Sequence, residues 1–278
     1  MCWKKGKAWF HRVWTDRPYP RGTKLKDYRT TAVLGLGSYG IAYLAVHEPT
    51  GREFVLKQVK PSLRRSPKGR DLQTYEMKVL QALDHPQIPK AVERFEIGND
   101  SFLVMTYLTG TTLEDYLFEH QATFTEREAV AFLAEVADIV RYLHQRQVIH
   151  RDVRIPNVIV REGKPYLIDF GLARFLGDKD AALHDTLDQY PPEKRIKRQV
   201  EPASDLYALG HFLLFLLYST YTPQPGQPER PWEEELALSP EVRRMIRKLL
   251  QIDPPYRDVD QLLAEIDRYL RKTKSSST

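Results

Sequence analysis

The sequence predicts an α+β protein with two lobes, in which a small antiparallel β-sheet with one main helix is followed by a larger, mostly helical part. Strand-like runs alternate with glycine-rich turns over roughly the first hundred residues. After Gly110, apolar residues recur instead at helical spacing. The length of 278 residues allows two cores, and 42% hydrophobic with 28% charged residues is the composition of a folded chain.

The first predicted region is a basic, Trp-rich arm over residues 1–27. It mixes Trp, Lys, Arg and Pro without a sustained period, which indicates a tail or a segment loosely docked on the following domain. Trp3, Trp9, Phe10 and Trp14 lie among lysines and arginines, a pattern that also suits peripheral contact with a membrane surface. Both interpretations stay open.

The predicted small lobe covers about residues 28–108. A helix is predicted over 71–84, where Tyr75 and Val79 are spaced to share one face. Short turns join the β-rich runs, so the sheet should be antiparallel. The strands are predicted at 29–35, 41–47, 53–59, 91–97 and 101–108.

The predicted large lobe covers about residues 109–270 and is followed by a polar tail, 271–278. Its longest helical pattern runs over 125–145, where Thr125 and Glu128 are spaced as a capping box. Ser239 before Pro240 predicts a further helix start. Strands are predicted at 157–160 and 165–168, and helices at about 203–218, 240–251 and 258–272.

Charge and cysteine content narrow the class of protein. The net charge of +5 allows contact with phosphates or nucleic acid, but interspersed acidic and basic residues favour an ordinary solvated exterior. A single cysteine, Cys2, excludes an intrachain disulfide and a multi-thiolate metal site. The arm lacks the apolar segment of a secretory signal, and the apolar run Phe212–Leu217 is too short to span a bilayer. We therefore expect a cytoplasmic protein without a transmembrane segment.

The stretch LGLGSYGIAYLA contains the first candidate site. Gly35, Gly37 and Gly40 lie between two strand-like runs, so they should form a hairpin whose backbone can approach a ligand closely. A dinucleotide-binding fold would open a helix here, whereas IAYLAVH predicts a strand. Without further context, an ordinary glycine-rich turn remains the alternative.

Lys57 supplies part of that context. It ends the strand-like run FVLK, and Glu76 lies on the helix predicted next. A lysine on an apolar strand is costly to bury unless it has an acidic partner or ligand phosphates. We expect Lys57 to have both, with a solvated surface lysine as the alternative.

The loop VIHRDVRIPNVIV, between two apolar stretches, holds several groups suited to a charged ligand. Asp152 is a candidate to accept the proton of an attacking hydroxyl. Mg²⁺ prefers oxygen ligands, which Asn157 and the later Asp169 can supply. These two residues are the predicted metal ligands.

Together, GLGSYG, Lys57, Glu76, HRD at 150–152, Asn157 and DFG at 169–171 occur in the order of the protein-kinase signature set. Over about residues 28–270 the chain resembles a eukaryotic-type (Hanks-type) serine/threonine protein kinase of the compact kind found in bacteria. The resemblance implies a bilobal kinase-like fold, ATP and Mg²⁺ as cofactors, and transfer of the γ-phosphate to serine or threonine hydroxyls of proteins, including its own.

The resemblance also implies individual roles. Asp152, Arg154 and Lys57 would be catalytic, and Asn157 and Asp169 would bind the metal. Val55 and Ile159 would sandwich the adenine, while Met105 to Leu108 would form the hinge. The implied cofactor-binding residues are Leu34, Gly35, Leu36, Gly37, Ser38, Tyr39, Gly40, Ala42, Val55, Lys57, Glu76, Met105, Tyr107, Leu108, Asn157, Ile159 and Asp169.

Further positions resemble structural elements of the family. Asp205 would brace the catalytic loop from below, and Glu193 with Arg257 would form an ion pair. Arg154 stands where serine/threonine kinases usually carry lysine; it keeps the charge but offers a planar fork. Thr186 lies where these kinases place a threonine that hydrogen-bonds the catalytic aspartate.

The segment from Asp169 to Glu193 raises a question of regulation. In the family that the chain resembles, the arginine at the position of Arg151 normally receives a phosphate added to this segment. The segment offers only Thr186 and Tyr190 as hydroxyl side chains, but it also contains aspartates. One hypothesis is that an aspartate replaces the phosphate; the alternative is that Arg151 bonds only backbone. The candidate aspartates are Asp178, Asp180 and Asp185.

Other functions remain open on the sequence. A small-molecule kinase of related fold, acting on choline or aminoglycosides, shares the Asp and Asn chemistry. A pseudokinase scaffold would be expected to lack one of Lys57, Asp152, Asn157 or Asp169, and all four are present. The basic clusters 64–70 and 193–198 leave an acidic substrate or a nucleic-acid partner open, although solvated charge is favoured and no nucleic-acid-binding motif is recognised.

Overall fold

The computed structural model describes residues 16–64, 66–178, 190–222, 228 and 230–275. It divides into two compact units, Met1–Leu108 and Thr109–Thr278. The first unit is built on an antiparallel sheet and the second is mostly helical, so the α+β class predicted from the sequence is confirmed.

The first unit contains a six-stranded sheet with the order β1-β2-β3-β4-β6-β5. All neighbouring strands are antiparallel, and aromatic and aliphatic side chains from one face form the core, with Tyr28 stacked on Phe95. The strands are β1 Lys24–Leu25, β2 Tyr28–Leu36, β3 Gly40–His47, β4 Glu53–Val59, β5 Ala91–Ile97 and β6 Asp100–Thr106. All five predicted strands are present.

Helix α1, Pro67–Gln81, packs one face against this sheet. It begins four residues earlier than predicted. Pro67 is compatible with the first helical turn, and Gly69, which usually disfavours a helix, is present because of packing. A Cβ added at Gly69 would lie 2.6 Å from Cγ1 of Val59. Glycine therefore occupies the helix because no larger residue fits, although it usually disfavours helices.

The described part of the predicted arm is docked on the first unit. Leu25 is buried in the core, and the hydroxyl of Tyr19 donates to Asp100 at 2.7 Å. Arg64 binds both carboxylate oxygens of Asp100 at 2.6 Å. Trp3, Trp9, Phe10 and Trp14 lie outside the described residues, so membrane contact by the arm stays a hypothesis.

The second unit is built around helix α3, which packs against α5 and α8, while α5 also packs against α7. The capping box predicted for α3 is confirmed, because Thr125 accepts from the backbone N–H of Glu128 and donates its own N–H to that side chain. The N-cap predicted at Ser239 is also confirmed. The helices are α2 Leu113–Phe118, α3 Glu126–Gln145, α4 Pro192–Arg198, α5 Pro202–Tyr218, α6 Trp232–Glu235, α7 Pro240–Leu249 and α8 Val259–Ser275.

Two small sheets accompany these helices. One pairs three strands in the order β10-β9-β7 and the other pairs β8 with β11. They carry the two ends of the loop that holds Asp152 and Asn157. The strands are β7 Thr111–Thr112, β8 Val148–Ile149, β9 Val158–Arg161, β10 Lys164–Leu167 and β11 Arg174–Phe175.

No single helix within the described ranges is long and apolar enough to cross a membrane. The bent pair α4 and α5 meets the length and composition limits only when its two helices, 119° apart, are taken together.

Candidate active site

The glycine motif forms the β2–β3 hairpin. The N–H of Gly37 donates to the carbonyl of Gly40 at 2.9 Å, which closes the turn. A Cβ added at Gly40 would lie 2.9 Å from the carbonyl oxygen of Gln58, so only glycine fits there. Leu34 and Leu36 are exposed on the hairpin, as is Ser38, while Tyr39 is partly buried. Because a strand follows the glycines, the dinucleotide-binding alternative is excluded.

Several predicted cofactor-binding residues share one face of the first unit's sheet. Ala42 pairs with Lys57 across β3 and β4, and Val55 pairs with Met105 across β4 and β6. Side chains alternate along strands, and the intervening residues Tyr43, Leu56 and their neighbours fill the core on the opposite face. Tyr107 and Leu108 follow the end of β6 and are partly buried. The sheet thus offers an apolar surface beside the ammonium group of Lys57.

Lys57 and Glu76 form the ion pair expected from the sequence. Nζ of Lys57 lies 2.7 Å from Oε1 and 2.8 Å from Oε2 of Glu76. The Glu76 side chain is 2% exposed and that of Lys57 is 22% exposed. Gln73, one turn earlier on α1, donates to the carbonyl of Lys57 at 2.8 Å. The alternative of a solvated surface lysine was wrong, since a buried carboxylate needs this partner.

Asp205 holds the loop of the second unit from below, which confirms its predicted structural role. Its fully buried carboxylate accepts the N–H of His150 at 2.9 Å and that of Arg151 at 2.7 Å. Nε2 of His144 lies 3.0 Å from the same carboxylate. Burial disfavours the charged form, but the bonds from His144 and His150 hold the pKa of Asp205 below its usual value.

Asn157 fixes the candidate base, Asp152. Its Nδ2 donates to Oδ2 of Asp152 at 2.9 Å and to the carbonyl oxygen of that residue at 2.9 Å. Asn157 ends a short 3₁₀ turn, Ile155–Asn157, and its own carbonyl accepts the N–H of Ile168 at 2.9 Å. Arg154 lies with Nε 3.5 Å from the Asp152 carboxylate. The loop therefore orients the carboxylate through a buried amide.

Asp169 occupies a backbone conformation that is unusual outside glycine. Its φ is 61°, and the N–H of Gly171 lies 3.3 Å from its Oδ1. The next residue, Phe170, is buried and meets the His150 ring edge to face at 4.7 Å. Burial lowers the pKa of His150, whose Nδ1 accepts the backbone N–H of Asp152 at 3.3 Å. The buried imidazole of the HRD motif thus packs against the phenyl ring of the DFG motif.

The oxygen atoms of Asn157 and Asp169 suit a hard cation. Because Nδ2 of Asn157 is engaged by Asp152, the remaining atom of that amide is an acceptor oxygen. In the part of the chain that the structure describes, no cluster of three or more His, Cys, Asp and Glu could hold a metal by itself. A set of few protein oxygens fits Mg²⁺, which is usually held by one or two protein carboxylates together with substrate phosphates and water.

Ile159 is buried on β9, where it pairs with Thr112 of β7 and Tyr166 of β10. The predicted ion pair between Glu193 and Arg257 was wrong. Arg257 instead binds the adjacent Asp258 at 2.8 Å, and its side chain is 87% exposed. A neighbouring carboxylate satisfies the guanidinium locally, so Arg257 remains at the surface.

The arrangement of these motifs agrees with what comparison with known proteins finds. The family model described as "Protein kinase domain" matches residues 28–263. The chain belongs to the protein kinase family.

Relatives of this kinase include the "Probable serine/threonine-protein kinase YbdM" of Bacillus subtilis, 33% identical over 92% of this chain and 94% of that protein. "Serine/threonine-protein kinase B" of Synechocystis sp. is 31% identical over 83% of this chain and 44% of that longer protein. The solved structure described as "PpkA-294 apo form" has a TM-score of 0.70 and 20% identity, and covers 90% of this kinase and 99% of that chain. The kinase therefore spans nearly all of one relative and less than half of another.

Arg198 is a neighbour of the candidate base that the motifs did not reveal. Its guanidinium lies 3.6 Å from Oδ1 of Asp152, and its carbonyl oxygen accepts Nε of the buried Arg151 at 2.8 Å. Arg151 also donates to the carbonyl of Leu172 at 3.2 Å. On the sequence, only the basic cluster 193–198 pointed to this region.

The residues of the aspartate hypothesis lie mostly beyond the described part of the activation segment. Thr186, Asp180 and Asp185 lie outside the described residues, while Asp178 lies within them. The contacts of Arg151 with main-chain carbonyls fit the alternative in which this arginine bonds backbone. The hypothesis stays a prediction.

Proposed function

We propose that this chain is an ATP-dependent kinase that transfers the γ-phosphate to serine and threonine hydroxyls of proteins, including sites on its own chain. The observation that carries the proposal is the pair formed by Asp152 and Asn157, in which a buried amide orients a carboxylate at 2.9 Å. This pair lies in a loop braced by Asp205, in a chain of the protein kinase family.

Asp152 is the proposed general base. It accepts the proton of the attacking hydroxyl and orients its oxygen towards the phosphorus atom. Arg154, whose Nε lies 3.5 Å from this carboxylate, is proposed to contact the γ-phosphate. Its planar fork offers several donors to phosphate oxygens. Both residues belong to the second unit.

The first unit is proposed to hold the nucleotide. Ala42, Val55 and Met105 supply apolar surface for the adenine ring, and the glycine hairpin covers the phosphates. Lys57 donates to the α- and β-phosphates, with its ammonium oriented by Glu76. The ion pair restricts the lysine side chain, which would otherwise sample many rotamers, to an orientation suited to binding phosphate.

Asn157 and Asp169 are the proposed magnesium ligands. Their oxygen atoms match the hard ligands that the ion prefers, and the amide of Asn157 is already oriented by Asp152. When bound, Mg²⁺ neutralises charge on the phosphate oxygens. The protein's part is to hold these two oxygens in place.

The names of the relatives support serine and threonine as acceptors, and the family match disfavours a small-molecule kinase. A pseudokinase scaffold would be expected to lack at least one of four residues, and this chain has all of them: Lys57, Asp152, Asn157 and Asp169. We therefore propose that the protein is an active enzyme and not a scaffold.

The test incubates the purified chain with γ-labelled ATP and Mg²⁺, alone and with a generic protein acceptor, and then identifies the phosphorylated amino acids. We expect label on serine or threonine, and none with Asp152→Asn. Transfer only to small alcohols would contradict the proposal, as would tight ATP binding without turnover.

A further inference from the structure

A cavity of about 400 Å³ lies within the second unit, beside the candidate base. Residues 151–154 of the catalytic loop form one wall, and helices α4 and α5 form the others. We refer to this cavity, with Asp152, Lys194, Lys197, His211 and Phe215 in its lining, as the α4 pocket. Its volume lies within the range of pockets that bind small groups.

The lining of the α4 pocket carries an excess of positive charge. Five cationic side chains contribute to it, against the carboxylates of Asp152 and Glu193. Arg154 and Arg198 approach Asp152, so part of the charge is compensated. Within the described ranges, neither Lys194 nor Lys197 makes an ion pair. Their ammonium groups instead lie 4.1 Å from the Tyr190 ring and 5.7 Å from the Tyr207 ring, respectively.

Two polar groups of this pocket are desolvated, and neither forms an ion pair within the described residues, although the carboxylate of Glu193 partly offsets the effect of burial on both. Burial lowers the pKa of Lys197, which means that its charged form is disfavoured as it stands. Nε2 of His211 is buried and has no hydrogen-bond partner among the described residues. A carboxylate that enters the pocket could pair with the ammonium group of Lys197, which would offset the cost of desolvating that charge.

The apolar part of the lining indicates what kind of anion fits. Phe212 is buried and Phe215 is 50% exposed, so a half-open aromatic wall faces the cationic side chains. The methylene groups and carboxylate of an acidic amino-acid side chain match such a surface. A nucleic-acid backbone would be expected to need a wider basic surface, with aromatic residues for stacking.

We propose that the α4 pocket binds an aspartate or glutamate side chain of the protein substrate, so that this kinase selects acidic sequences around the phosphorylated hydroxyl. The inference rests on the proposed function of Asp152. Because Asp152 itself lines the pocket, the selected residue lies within a few positions of the acceptor, since an extended chain advances about 3.3–3.6 Å per residue.

The test uses peptides that each contain one serine and differ only by Glu or Gln at each flanking position in turn. The measured quantity is kcat/KM at low ionic strength. We expect at least one position where Glu gives about 5- to 10-fold higher kcat/KM than Gln, the effect of a partly desolvated ion pair. Equal values at every position overturn the proposal. Failure to phosphorylate any peptide or protein would instead contradict the proposed function.

Charge variants then assign the preference to the pocket. Lys194 is exposed, so Lys194→Glu should leave the core intact while it removes the contact with the Tyr190 ring, and we combine it with Lys197→Gln. In both the single and the double variant, the preference for Glu over Gln should fall at least about threefold. Lys164→Gln, an exposed position on β10, is the matched control and should keep the preference. If the pocket variants keep the preference for Glu, the proposal is overturned. It is also overturned if single-stranded oligonucleotides inhibit the unsubstituted kinase but not the pocket variants, because the pocket would then bind nucleic acid.

Discussion

Asn157 orients Asp152 through its side-chain amide, with Nδ2 2.9 Å from Oδ2 and 2.9 Å from the carbonyl oxygen of the aspartate. Both bonds are made by one end of the amide, so the other end presents its oxygen away from Asp152. A single buried side chain thus serves the candidate base and, in the proposed function, the metal.

This double role predicts a combined defect in Asn157→Ala. We expect kcat to fall by about 100-fold or more, because a positioned general base contributes about 10²–10⁴. The Mg²⁺ concentration for half-maximal activity should rise in the same variant, since a ligand is lost. Asn99→Ala, in the exposed turn between β5 and β6, is the matched control. A variant with lower kcat but unchanged Mg²⁺ dependence would contradict the metal role.

The Lys57–Glu76 pair predicts a separation of stability from activity. Lys57→Met leaves a buried carboxylate without its cation, and such a loss costs about 3–5 kcal/mol of unfolding free energy. Adding Glu76→Gln removes the uncompensated charge, so the double variant should regain part of that stability. Phosphoryl transfer should stay absent in both.

Chemical denaturation and the kinase assay on the unsubstituted protein and the two variants check this prediction. If the double variant were no more stable than Lys57→Met, the destabilisation would come from lost packing rather than from the unpaired charge. Recovery of transfer in the double variant would contradict the phosphate-binding role of Lys57.

Burial of His150 predicts a loss of stability in mild acid. Burial lowers the pKa of His150 below its usual 6.5, against the opposing effect of Asp205, Asp152 and Asp169. Below pH 6.5 the unfolded chain takes up a proton that the folded chain refuses, so stability decreases as the pH falls from 6.5 towards the folded pKa. The contribution of this group amounts to at most about 1.4 kcal/mol per pH unit.

The measurement is the free energy of unfolding from about pH 7.5 to about pH 5, a range that spans the usual histidine pKa of about 6.5. His150→Phe keeps an aromatic ring against Phe170 and should reduce the slope, although His211, whose pKa is also lowered by burial, will maintain part of it. His120→Phe, at an exposed position, should leave the slope unchanged. Equal slopes in all three proteins would contradict the prediction.

Much of this fold could be predicted from local signals. Strands β3 and β4 alternate in burial, and helix α3 begins with its own capping box. For these elements the spacing of apolar residues and the cap residues were sufficient for the prediction. Helices α2, α4 and α6 have seven residues or fewer, too short to show a helical period. The start of α1 was predicted too late in the sequence, because a glycine usually disfavours a helix and the packing of Gly69 against Val59 is invisible in the sequence.

In the candidate site, too, some contacts could be predicted from the sequence and others could not. Lys57 and Glu76 were predicted to pair because a buried charge needs a partner of opposite sign. The role of Asp205 was implied by the resemblance to protein kinases, and its contacts with two backbone N–H groups agree with it. The Glu193–Arg257 pair failed because a local carboxylate, Asp258, competes with a distant one. Neither residue type nor spacing reveals which carboxylate an exposed arginine will bind, since the stabilisation from alternative surface ion pairs differs by less than about 1 kcal/mol.

The buried Arg151 bears on how the kinase becomes active. Its guanidinium already donates to the carbonyl oxygens of Arg198 and Leu172, and its own N–H is held by Asp205. Contacts of this kind order the arginine without a phosphate, whereas many kinases use an added phosphate for that purpose. We therefore expect full activity without phosphate between Asp169 and Glu193.

Intact-mass and peptide mass spectrometry of the active enzyme check this, before and after treatment with a phosphatase. The phosphatase-treated kinase should phosphorylate an exogenous substrate from the first minutes, without a lag. Stoichiometric phosphate on Thr186 or Tyr190, with a lag or loss of activity after its removal, would contradict the prediction. Substitution of Asp178, Asp180 and Asp185 by Asn distinguishes its two physical explanations: lost activity favours an aspartate that replaces the phosphate, and retained activity favours the main-chain contacts of Arg151.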